Sequence, residues 1–137
     1  MAILVDTSAL YAMADRGTVE HAAVRSFVIT THDALLMPVT VLAEADYLIT
    51  TRLGPSVALA VLRSIAAGEF RLEQITNTDL VRCTELLEQY ADSRLGFVDV
   101  SIIALAERLN IARVLTLDQR HFRFVRPRHC VAFDVAP

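Results

Sequence analysis

Two short apolar runs in this chain each end in an aspartate. Ala2–Val5 is followed by Asp6, and the run Arg113-Val-Leu-Thr-Leu117 is followed by Asp118. Brief apolar runs closed by polar, turn-forming residues read as strands buried on both faces. Such strands need helices above and below them, which constrains the chain to a mostly parallel α/β sheet. An acid at the carboxyl end of such a strand points into the crevice where open α/β sheets bind ligands.

The remaining sequence alternates in keeping with that frame. Further strands are predicted over Ala34–Met37, Phe70–Gln74 and Cys130–Val135. Helices are predicted over Ala9–Ala14, Val19–Thr30, Val39–Arg52, Ser56–Ala67, Thr78–Tyr90 and Phe97–Leu109. Gly54-Pro55 and Gly68 punctuate the middle helices, and Ser56 is a suitable cap for the helix it opens. With no linker, repeat or low-complexity segment, residues 1–137 read as one domain. The expected architecture is three-layered α/β, a central mostly parallel sheet of four to five strands flanked by helices. If the first and fourth strands are neighbours, Asp6 and Asp118 flank the point where the chain connections reverse.

Hydrophobic residues make up 54% of the sequence, enough for a sizeable core. The net charge of −3 argues against a wholly basic nucleic-acid surface, though not against a local basic patch. Every basic residue is an arginine, so chemistries that need a lysine are removed. Cys83 and Cys130 show no CxxC or zinc-like spacing and read as reduced cysteines. No basic, long-apolar leader is evident at the N-terminus. The apolar stretch Ala34–Ala43 contains Pro38 and falls well short of the about 20 residues that span a membrane. A cytoplasmic protein without membrane association is expected.

Two more acids occupy unusual positions. Glu44 sits with Val41, Ala45 and Leu48 on the apolar stripe of one predicted helix, and Asp99 sits with Ile102, Ile103 and Ala106 on another. Structural roles exist for each acid. Asp6 can cap a helix, although Ser8 is also placed to cap and would free it. Glu44 could have an arginine partner, Asp99 favours a helix dipole and Asp118 suits a turn. Asp46 and Asp92 are weaker candidates, near the rim or on the surface. Taken jointly, Asp6, Glu44, Asp99 and Asp118, with the Ser8 and Thr116 hydroxyls beside them, suggest one acidic site. Carboxylates so gathered repel one another. A hard divalent cation, which prefers oxygen ligands, relieves that repulsion and points to phosphate chemistry. Arg120, Arg123, Arg126 and Arg128, interleaved with Phe122 and Phe124, offer a polyanion path beside Asp118. Arg120 and Arg123 are the contact candidates. The four histidines read as surface residues, with His121 nearest the site.

Four segments resemble the PIN-domain family, and within it the VapC-type ribonuclease toxins of toxin–antitoxin modules. They are Ile3-Leu-Val-Asp-Thr-Ser-Ala-Leu10, Pro38-Val-Thr-Val-Leu-Ala-Glu-Ala45, Leu95-Gly-Phe-Val-Asp-Val-Ser101 and Leu115-Thr-Leu-Asp-Gln-Arg-His-Phe122. They span nearly the whole chain. The resemblance implies that Asp6, Glu44, Asp99 and Asp118 form an acidic quartet with Thr116 beside it. It also implies Mg2+ or Mn2+, endonucleolytic cleavage of RNA, a homodimer and a cognate antitoxin. Gln119 stands where a basic residue is more usual in the family. The mean hydropathy of +0.44 adds an independent hint of an apolar dimer face, expected on the helices at Val57–Ile65 and Phe97–Leu109.

Two alternatives compete with this reading. A phosphatase using Asp6 as nucleophile would usually carry a second aspartate two residues on, where this chain has Ser8, and would generally need a lysine. A non-catalytic PIN-like binding module would be expected to have lost acids, and all four are present.

Overall fold

The computed structural model describes Met1–Pro137. The strands are β1 (Ala2–Val5), β2 (Ala34–Pro38), β3 (Arg71–Glu73), β4 (Arg113–Leu115) and β5 (Asp134–Ala136). They form one parallel sheet in the order β3-β2-β1-β4-β5. Thus β1 lies at the centre, β4 is its neighbour, and the connections leave those two strands toward opposite edges. Ile3, Leu4, Val114 and Leu115 are fully buried, as strands covered on both faces require.

Seven helices flank the sheet: α1 (Thr7–Ala14), α2 (His21–Thr30), α3 (Val39–Leu53), α4 (Pro55–Ala66), α5 (Asn77–Gln89), α6 (Phe97–Leu109) and α7 (Gln119–Phe124). Gly54, at φ +97°, ends α3 and turns directly into α4. That left-handed backbone is one that glycine adopts at little cost. Pro55 then takes the first position of α4, where its missing N–H is harmless, so Ser56 does not act as the cap.

Three other boundaries differ from the sequence reading. The fourth strand stops at Leu115 because the Leu117 N–H is taken by the Ser8 hydroxyl instead of the sheet. The last strand begins at Asp134, four residues later than expected, after an irregular approach. The short helix α7 was not anticipated. It buries Phe122 edge-on to Phe133 while leaving its arginines outside.

Helix α6 is the most enclosed, with Val100 to Ala106 all buried. Its apolar surface is consumed inside the chain and does not form the free face expected of it; only Phe97 stays exposed. Helix α5 clamps α6 from outside through two ion pairs. The Arg82 guanidinium donates to both oxygens of Glu107 at 2.7 and 3.0 Å, and Arg108 Nε donates to Asp79 Oδ1 at 2.9 Å. Asp79 is buried and also accepts from the Thr76 N–H, closing a capping box at the start of α5. One carboxylate thus fixes a helix start and a helix–helix contact. Asp79→Ala removes the acceptor of the Thr76 N–H and strands Arg108, so it is expected to lower stability by about 2–4 kcal/mol. The check is a lower urea midpoint with an unchanged denaturant slope.

Candidate active site

The sheet brings Asp6 and the end of β4 together. The Asp6 N–H donates to the Leu115 carbonyl at 3.0 Å, carrying the β1–β4 pairing to the mouth of the crevice. Asp6 is then the N-cap of α1, and the Thr7 N–H donates to its Oδ1 at 2.7 Å. Capping therefore does not fall to Ser8, and it does not compete with a role for Asp6 in the crevice. The other oxygen, Oδ2, accepts from Thr116 Oγ1 at 2.7 Å and from Ser8 Oγ at 3.3 Å. Those hydroxyls in turn accept the Asp118 and Leu117 N–H groups, each at 2.9 Å. Ser8 and Thr116 are thus the joints between α1 and the loop that carries Asp118.

All four acids line one cleft of about 370 Å³, together with Thr7, Ser8, Tyr11 and Arg52. Asp99 arrives from the first turn of α6, where its Oδ2 accepts the Gly96 N–H at 2.9 Å. Asp118 arrives from the loop before α7. Glu44 comes from α3, but not from the buried stripe on which the sequence placed it. That stripe is Val41, Ala45 and Ile49. Glu44 is exposed to the cleft, and it shares with Leu48 and Arg52 an adjacent row spaced by four residues. A 100° step per residue separates the two rows, which is close enough to blur in a sequence and far enough to move a carboxylate from core to cleft. Asp46 and Asp92 do not line the cleft.

Burial pushes the Asp6 carboxyl up to about 6, against the lowering effect of the Thr116 hydroxyl and the Thr7 N–H; Asp99 raises it further. Burial also raises Asp99, with the charges of Asp118 and Glu44 adding to it and the Gly96 N–H and His121 opposing. The partners of Asp6 are neutral groups, so nothing in its surroundings cancels its charge. His121, on α7, places Nδ1 2.8 Å from Asp118 Oδ2 and 3.9 Å from Asp99 Oδ2, off the line that a hydrogen bond to either needs. It is thus the imidazole closest to the cluster. Sequence reasoning noted its nearness but missed its place between two of the acids, although its spacing of three from Asp118 within a helix-length segment was the available signal.

Oxygen-rich, anionic and short of cationic partners, this donor set fits a hard divalent cation such as Mg2+ or Mn2+. The acids are not drawn tightly together as they stand. No three acidic or imidazole groups are close enough to close on one ion. Asp6 and Asp99 instead accept from local donors, whereas the Glu44 and Asp118 carboxylates accept no hydrogen bond from the protein.

The arginine run behaves differently from the expected path. Arg120 and Arg123 are exposed on α7 and do not line the cleft. Arg126 donates to the Arg123 and Val125 carbonyls, and Arg128 pairs with Glu85 at 3.7 Å. The basic side chain that does line the cleft is Arg52, which belongs to no motif visible in the sequence.

In the unfolded chain the Asp6 carboxyl titrates near an ordinary value of about 3.9, and in the folded chain near 6. Between those values the folded state holds more protons, so this group's contribution to stability is lost as pH rises through about 6. Asp6→Asn is therefore expected to raise the melting temperature of metal-free protein at pH 7.5, by up to about 3 kcal/mol of stability, and to raise it little at pH 4. Thermal unfolding of both proteins at the two pH values checks the difference.

Comparison with known proteins shows the family and the fold. Residues 3–126 match the PIN domain model. The chain is 38% identical over 135 residues to Ribonuclease VapC26 of Mycobacterium tuberculosis, covering 98% of this chain and 100% of that protein. Its fold is similar to that of Mycobacterium tuberculosis VapC20, a sarcin–ricin loop cleaving toxin, with a TM-score of 0.81, 23% identity, and coverage of 87% of this chain and 92% of that one. It is also similar to VapBC2 from Rickettsia felis, solved bound to a promoter DNA fragment, with a TM-score of 0.71, 16% identity and full coverage of both chains.

Proposed function

This chain belongs to the PIN-domain family, and from that we propose that it is a metal-dependent endoribonuclease acting as the toxin of a toxin–antitoxin module. The observation that carries the reading is the single cleft at the β1–β4 switch point lined by Asp6, Glu44, Asp99 and Asp118. The full-length likeness to a ribonuclease supports it.

Asp6, Glu44, Asp99 and Asp118 would hold the divalent ion. When bound, that ion supplies Lewis acidity, which makes water a stronger nucleophile and offsets charge building up on the phosphate. The chain's own groups do the rest. The Thr7 N–H and the hydroxyls of Thr116 and Ser8 fix both oxygens of Asp6, so this carboxylate enters the reaction already oriented. The Gly96 N–H holds Asp99 Oδ2, and Oδ1 accepts no hydrogen bond from the protein. Burial makes Asp99 more basic than an ordinary aspartate, which suits it to take the proton of the attacking water. Glu44, exposed to the cleft, is placed to orient that water. No covalent protein intermediate is needed. The leaving ribose oxygen is protonated from solvent, since the cleft is open.

A cognate antitoxin and a homodimer belong to the same reading. An acidic cleft is a natural receptor for a basic side chain of an inhibitor, because a guanidinium binds carboxylates through paired hydrogen bonds. With α6 enclosed, Leu59 and Leu62 on α4 and Tyr47 on α3 provide the exposed apolar surface for a second copy. No helix of the structure is long and apolar enough to cross a membrane.

Purified protein is expected to cleave total RNA at discrete sites with Mg2+ or Mn2+, and to lose that activity with EDTA. Asp6→Asn and Asp99→Asn are each expected to reduce cleavage by at least about a thousandfold while circular dichroism stays native. Full activity in either variant contradicts the assigned roles. Light scattering at micromolar concentration is expected to return the mass of two chains, and Leu59→Glu combined with Leu62→Glu to return one.

A further inference from the structure

Five carboxylates, Glu20 beside the four already described, repel the polyanion that the cleft is meant to receive. One positive side chain lines the cleft among them. Arg52, in the last turn of α3, stands on the row with Glu44 and Leu48. It forms no ion pair with any carboxylate, although five acids, Asp6, Glu20, Glu44, Asp99 and Asp118, share the cleft with it. Its guanidinium carbon instead sits 5.2 Å from the centre of the Tyr11 ring. The ring is itself fixed. Tyr11 Oη donates to Asp15 Oδ2 at 2.7 Å, and the other oxygen of Asp15 accepts the Gly17 N–H at 2.9 Å. Tyr11 comes from α1, one turn past Thr7 and Ser8, so the Asp6 cap and the ring ride on the same helix.

A guanidinium stacked on an aromatic face keeps its edge of N–H donors free in a defined plane. That edge matches the paired oxygens of a phosphate. A cation serving only the helix C-terminus would need neither the ring nor a place in the cleft. Taking the endoribonuclease reading as its basis, we infer that Arg52, stacked on Tyr11, is the phosphate-binding residue of the cleft. It holds an RNA backbone phosphate next to the one cleaved and offsets the repulsion of the acids. Arg52 makes the contact, and Tyr11 with Asp15 is its positioning platform. The sequence candidates Arg120 and Arg123 lie outside the cleft and are not needed for this contact.

The test measures binding and cleavage separately. Fluorescein-labelled mixed-sequence single-stranded RNA is titrated into Asp6→Asn protein, alone and combined with Arg52→Gln, Arg52→Lys or Tyr11→Leu, across a series of salt concentrations. Arg63→Gln, on the exposed side of α4, is the charge-matched control. Arg52→Gln is expected to weaken binding about tenfold and to reduce the slope of log affinity against log salt by about 0.7, the signature of one lost phosphate contact on a single strand. Arg52→Lys keeps the charge without the planar fork and is expected to recover part of the affinity and all of the slope. Tyr11→Leu should lose affinity while keeping the slope, since the charge remains. In the Asp6 background, Arg63→Gln should match its parent. With the catalytic acids intact, Arg52→Gln should raise KM more than it lowers kcat. Unchanged affinity and slope in natively folded Arg52→Gln protein overturns the inference, as does an equal loss in the Arg63→Gln control. Failure of wild-type protein to cleave any RNA would overturn the nuclease reading instead, and the binding series would still decide whether Arg52 contacts a phosphate.

Discussion

The hydrogen bond from Thr116 to Asp6 joins the two strands on which everything else depends. It spans β1 and β4 at the one place in the sheet where the connections diverge, and Thr116 is fully buried. Around it the Thr7 N–H, the Ser8 hydroxyl and the Asp118 N–H complete a closed set of donors and acceptors. A buried carboxylate is tolerable only when its lone pairs are occupied. Here the occupying groups also fix where α1 begins and where the Asp118 loop leaves the sheet. The arrangement that makes Asp6 affordable is therefore the arrangement that builds the cleft.

Satisfying the hydrogen bonds of Asp6 does not satisfy its charge. Its proton affinity is raised by burial, as is that of Asp99. Such a cluster lowers the stability of the empty fold in exchange for affinity toward cations, a trade common at functional sites. The rigidity needed to hold it comes from elsewhere: the enclosed α6, and the ion pairs of Arg82 and Arg108 that tie α5 to α6 from outside. Two basic side chains sit near these acids, His121 between Asp118 and Asp99 and Arg52 on an aromatic ring.

Much of this was legible one residue at a time. The central strands, all six expected helices to within two residues at each end, and the convergence of Asp6, Asp99 and Asp118 follow from short apolar runs, cap residues and strand-end acids. The errors share a cause. Glu44 was assigned to the buried stripe because helical periodicity locates a face only to within about one residue's rotation. Val57–Ile65 and Phe97–Leu109 were given equal claim to a dimer face because hydropathy does not say which neighbour covers a helix. Helix α7 escaped notice because its arginines mask the one residue, Phe122, that anchors it.

The alternation of strand and helix, the parallel sheet and the identity of the acids can be read from the chain alone, because these rest on local patterns of hydrophobicity and capping. Packing settles that Asp6 both caps α1 and lines the cleft, that Glu44 reaches the cleft from a row beside the core, and that Arg52 lines the cleft and His121 stands beside Asp118 while Arg120 and Arg123 stay outside. Those facts depend on groups far apart in the chain, such as Thr116 with Asp6, 110 residues apart, and Arg52 with Tyr11, meeting at the carboxyl end of the central strands. No local pattern encodes such meetings, since the strand order that produces them is settled by how whole elements cover one another.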